Sequence, residues 1–122
     1  LDPQIGLFLL RITGGGLMLT HGYPKLTKLL AGGDIMFADP IGIGMTASLV
    51  LAVFSEFLCS LLLVLGIKTR LVAIPLAITM AVAAFIVHAG DPIAKKELAI
   101  VYLMMYATLI ISGGGKFSLV KD

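Results

Sequence analysis

Cysteine occurs once in these 122 residues, tryptophan never, and charged residues make up only 13% of the chain. The lone Cys59 excludes an intrachain disulfide, a CxxC redox pair and a CxxCH haem attachment. Soluble domains carry about 25% charged residues, so the low charge argues against a soluble single domain. A formal net charge of +2 without a basic run gives no basis for nucleic-acid binding. No cluster of His, Cys, Asp or Glu has the spacing of a metal site, so no metal is expected. The first apolar stretch also lacks the basic n-region and A-x-A site of a cleavable signal.

What the chain has in abundance is apolar residues: 59% of the total, with a mean hydropathy of +1.09. Four long apolar stretches account for most of the sequence. Four spans of ~20 residues would use about 80 positions, leaving short connections and no separate catalytic domain. The expected fold is all-α: a single-domain integral membrane four-helix bundle, antiparallel and up-down, with an interfacial segment after the first helix.

Local punctuation sets the boundaries. Asp2-Pro3, Asp39-Pro40 and Asp91-Pro92 each precede an apolar run. Asp accepts the free amides of a helix start, and Pro suits the first helical position. Gly22, Gly66, Gly90 and Gly113 mark the other ends. Helices are therefore expected at about 3–21, 40–65, 70–88 and 92–112, with Thr69 as a cap for the third. The Gly22–Asp39 stretch mixes Leu, Ile, Met and Phe with Lys25, Lys28 and Asp34, the composition of a half-helix lying on a bilayer. Basic residues divide evenly: Lys68, Arg70, Lys116 and Lys121 against Lys25, Lys28, Lys95 and Lys96. With that tie the positive-inside rule does not fix the orientation. The concentration of Lys68 and Arg70 in a short turn favours a cytoplasmic location for that side and for both termini.

The polar residues within the spans define the candidate site. Glu56 is a carboxylate near the middle of the second stretch, where an unpaired charge is expensive. Arg11, Gly14, Met18, His21 and Lys25 recur at helical spacing on one face. If the helices start flush, Arg11 and Glu56 lie at depths of ~12 and ~15 Å, so an Arg11–Glu56 ion pair is expected. Tyr106 falls near the same level; it either joins that network or binds a backbone carbonyl. Glu56, Arg11 and Tyr106 are thus the candidate catalytic residues. His21 and His88 end helices 1 and 3 on one side and are candidate cofactor ligands, for a haem or another metal, while a quinone would be handled through Glu56, Arg11 and Tyr106. Gly14-Gly15-Gly16 would permit close helix contact.

Several segments also resemble the DoxX family. Arg11 followed by His21-Gly22-Tyr23-Pro24-Lys25 resembles its first-helix pattern, and Glu56 with the Leu-rich run to Gly66 and then Thr69-Arg70 resembles its second. His88-Ala89-Gly90-Asp91 and Gly-Gly-Gly-Lys-Phe-Ser-Leu at 113–119 resemble the third and fourth. The resemblance implies a four-helix protein of the bacterial cytoplasmic (inner) membrane, related to the small subunit of a thiosulfate:quinone oxidoreductase. Other members are thought to join membrane-associated oxidoreductase assemblies. Arg11, His21, Lys25, Glu56, Arg70 and His88 are the matching positions. Three functions follow as expectations: an accessory subunit of a larger membrane complex, bordering a quinone pocket; a quinone-handling oxidoreductase subunit in its own right; or a small transporter or lipid-binding module.

Overall fold

A computed structural model describes residues 2–122 as four helices: α1 (Pro3–Ala31), α2 (Met45–Leu65), α3 (Thr69–Val87) and α4 (Ile93–Ser112). Among the described residues there is no strand, only one isolated parallel bridge between Ile67 and Val120.

The start of α1 follows its sequence signal: the Asp2 carboxylate accepts the Gln4 amide at 2.9 Å, and Pro3 takes the first position. Its end does not. The helix continues ten residues past His21, through Gly22 and Pro24, and stops at Gly32 with φ 71°. Gly22 serves packing rather than termination: a Cβ there would overlap the carbonyl of Glu56. The expected interfacial half-helix is therefore replaced by an extension of α1 and an irregular link, 32–44.

That link holds α2 back to Met45 instead of Pro40. The Asp39 carboxylate accepts the amides of Ile43 and Gly44 at 2.9 and 3.0 Å and the Ser48 hydroxyl at 3.0 Å. Desolvation pushes this carboxyl upward, but the Gly44 amide, the Ser48 hydroxyl and the Ile43 and Gly42 amides outweigh it and hold its pKa below the ordinary 3.8. Asp91 does not cap α4; it accepts from His88 Nδ1 at 2.8 Å. Lys68, not Thr69, precedes α3, in a left-handed conformation (φ 51°).

Two helices contain widened π-helical turns, Phe54–Cys59 in α2 and Ala83–Val87 in α3. The second closes with a His88 amide donating to the Ala83 carbonyl, five residues back, at 3.0 Å. Such turns occur often at functional sites, and Glu56 lies within the first.

α1 packs along α2, α2 against α3, α3 along α4, and α4 on α1. Met18, Cys59, Leu63, Leu76, Tyr106 and Leu109 fill the centre. Gly14 and Gly15 let α1 approach closely, as expected; a Cβ on Gly15 would stand 2.8 Å from the Ser60 carbonyl, whereas Gly16 faces open space. Large apolar side chains, among them Leu9, Leu71, Ile78 and Ile111, stand exposed around the outside. Three helices, α1 to α3, are long and apolar enough to cross a membrane, against the four expected. α4 has the length, but Lys95, Lys96 and Glu97 crowd its N-terminal end.

Candidate functional site

Glu56 is buried, and its partner is Lys25 rather than Arg11. Lys25 Nζ donates to Glu56 Oε1 at 2.5 Å, with the two side chains 29% and 5% exposed. The expected Arg11–Glu56 pair is not formed. Its premise was flush helix starts, and α1 is displaced along its axis. Gly66 packs on Arg11, and Gly22 on the Glu56 backbone. Arg11 and Gly22 are eleven positions apart, so the guanidinium level and the carboxylate level are separated by ~16 Å of helix.

Arg11 instead belongs to the far end of the molecule. It is 1% exposed and donates to the Phe117 carbonyl at 2.9 Å and to Ser118 Oγ at 3.5 Å. The Phe8 ring lies 5.5 Å from its guanidinium carbon, within cation–π range. Among the described residues it has no carboxylate partner, and Arg11 Nε, Ser60 Oγ and Thr69 Oγ1 are buried without one of any kind. The 113–122 segment that supplies its acceptors is itself tied down. Lys116 contacts Asp2 at 3.5 Å, its amide reaches Gln4 Oε1 at 2.8 Å, and Asp122 accepts the Arg70 amide at 2.8 Å.

Tyr106 takes the second of its two expected roles. Fully buried, it donates to the Gly14 carbonyl at 2.8 Å and holds α4 to α1. Its ring stacks on Tyr102 at 6.0 Å, and Tyr102 in turn meets His21 edge-on at 6.0 Å. Tyr102, not Tyr106, is the tyrosine that shares a cavity with Glu56.

Two cavities meet at the Lys25–Glu56 pair. One, about 300 Å³, is largely apolar, walled by Phe37, Ile41, Ile43, Leu51, Ile78 and Val87. The other, about 280 Å³, brings together His21, His88, Lys95, Tyr102 and Met18. Lys25, Glu56, Thr79 and Ala83 line both. The two histidines suggested by the sequence thus reach one cavity, with His88 Nδ1 occupied by Asp91. Among the described residues no group of three or more His, Cys, Asp or Glu could hold a metal ion. The pairing of Lys25 with Glu56 was missed in the sequence, although Lys25 stands one turn beyond His21 on the face already singled out.

The arrangement offers a carboxylate and an ammonium at the wall between a greasy space and a polar one. A ligand with an apolar body and a hydrogen-bonding head would satisfy both. Comparison with known proteins agrees on lineage. The DoxX family model matches residues 6–89. The chain is 32% identical over 123 residues to an uncharacterized protein of Haemophilus influenzae, covering 93% of this chain and 87% of that one. No solved structure matches it. The family match and the apolar helices together indicate a membrane protein.

Proposed function

Starting from the fact that this chain belongs to the DoxX family, we propose that it is a membrane subunit of a bacterial oxidoreductase assembly, with a site for a quinone-like amphiphile beside Glu56. One observation carries the reading: the Lys25–Glu56 pair, its carboxylate buried and its lysine partly exposed, stands between an apolar cavity and a more polar one. The apolar cavity, at about 300 Å³, is at the lower end of ligand-site sizes, ~300–1,000 Å³. It suits a ring and the first part of an isoprenoid tail, with the rest of the tail in lipid. The head group meets Lys25 as donor and Glu56 as acceptor. Quinone chemistry moves protons along with electrons, and a positioned carboxylate is a suitable general acid or base. The chain's own residues would bind, orient and protonate; the electrons would come from a redox partner subunit.

In this reading all four helices, α4 included, form an antiparallel up-down bundle in the inner membrane, with the Lys68–Arg70 turn in the cytoplasm. A spanning chain must satisfy its backbone internally, which four helices do. The many exposed apolar side chains would face lipid and partner helices.

The test is gentle extraction of the protein from its native membrane, followed by solvent extraction and absorbance spectroscopy. Quinone should accompany the wild type along with larger partner proteins, and should be depleted in Ala52→Phe, which fills the apolar cavity. A Soret band would replace quinone with haem at the histidines. A free monomer without quinone would end the proposal.

A further inference from the structure

The polar cavity is asymmetric along the molecule. Its inner wall is Met18, Tyr102 and Glu56; its outer wall is His88, at the turn between α3 and α4, and Lys95, in the first turn of α4. In the other direction the interior is closed. Leu63, Leu76, Tyr106 and Leu109 are fully buried there, and the Tyr106 hydroxyl is committed to the Gly14 carbonyl. The carboxylate has a polar route to the end carrying residues 88–92 and a packed apolar layer toward the end carrying Asp2 and Lys116.

We propose that this cavity is a one-sided proton inlet, through which water among His21, His88, Lys95 and Tyr102 connects Glu56 with the aqueous phase at the 88–92 turn alone. The space, about 280 Å³, accommodates several waters at ~30 Å³ each, and the lining supplies the polar partners that ordered water needs. The groups facing Glu56 come from every neighbouring element: Lys25 and His21 from α1, His88 with its partner Asp91 from the turn after α3, and Lys95 and Tyr102 from α4. Asp91 occupies Nδ1 of His88, which leaves Nε2 as the nitrogen available to the cavity. Imidazole is the side chain best suited to passing protons near neutral pH, and ionisable chains within membrane segments commonly form such relays. The inlet rests on the preceding reading for its purpose, since the proton reaches Glu56 where the head group would sit. The route itself is a property of the unliganded protein.

Single cysteines in a Cys59→Ala background, in the full chain reconstituted into vesicles, test the route with a membrane-impermeant thiosulfonate. Glu97→Cys and Lys116→Cys report the two faces. Ala99→Cys, on the cavity wall, should react from the Glu97 face only, and Leu63→Cys from neither. Reaction of Ala99→Cys from the Lys116 face, or from neither face, overturns the proposal. Infrared spectroscopy after a pH jump reads the proton directly, using the carboxyl band that Glu56→Gln removes. Ala99→Phe should slow that band's response severalfold; an unchanged rate overturns the inlet. Loss of quinone binding with one-sided labelling intact would defeat only the quinone reading.

Discussion

A double-mutant cycle on Lys25 and Glu56 is the most direct trial of the site. At 2.5 Å the gross attraction at an effective dielectric of 20 is about 6–7 kcal/mol. The desolvation cost of Glu56 is common to the wild type and Lys25→Met and cancels in the cycle. Water at the partly exposed Lys25 screens the attraction, however, and its end can turn toward water once unpaired. The net coupling should therefore be about 2–3 kcal/mol, between the ~0.2–1 kcal/mol of an exposed pair and the ~3–5 kcal/mol lost on breaking a fully buried one. Lys25→Met and Glu56→Gln should each lower the unfolding free energy, and the double variant should lose clearly less than their sum. Unfolding in mixed detergent micelles, followed by circular dichroism, provides the four values. A parallel cycle on Arg11 and Glu56 should be additive within ~0.3–0.5 kcal/mol, as for groups about 16 Å apart. Coupling in the Arg11 cycle, or additivity in the Lys25 cycle, would refute the displaced register of α1 and the assignment built on it.

Gly22→Ala should destabilise by about 1–3 kcal/mol, because its Cβ would enter the Glu56 carbonyl; the same unfolding assay checks this, and Gly16→Ala, in open space, is the control. Tyr106→Phe should cost about 0.5–1.5 kcal/mol by removing the hydroxyl bond to the Gly14 carbonyl, with quinone retention unchanged in solvent extracts. Asp39 has a folded pKa below its ordinary 3.8, so its contribution is complete above that value and is lost as the pH falls through the folded pKa. Protection of the Ile43 and Gly44 amides, measured relative to intrinsic exchange at each pH, should fall on acidification in that range, and Asp39→Asn should remove that loss.

Helix number and most boundaries were legible because each apolar run carries its own punctuation. Asp2 with Pro3 starts α1, and Gly66, at φ 74°, ends α2. The burial of Glu56 was legible too, since a carboxylate in an apolar run has few other options. Its partner was not. A glycine that ends a helix and a glycine that lets two helices touch look alike in sequence, and Gly22 is the second kind. Reading it as a terminator shortened α1 by ten residues and hid the axial shift that carries Lys25, not Arg11, to Glu56. The charge on Arg11 was likewise assigned a carboxylate because backbone carbonyls leave no mark in a sequence; Phe117 supplies one from 106 positions away. The π-helical turn around Glu56 had no sequence signal at all.

The distance along the chain between Arg11 and its acceptors has a consequence in time. Translation adds about 5–20 residues per second, so at that pace the Phe117 carbonyl is made about 5–20 s after Arg11. Late in that interval α1, α2 and α3 can meet, yet the guanidinium sits at their edge with nothing to receive it. The seam that buries Arg11 thus closes late, after the three helices it borders are made. A nascent chain that stalls before residue 117 keeps a bare cation where the mature one has its seam to Phe117 and Ser118.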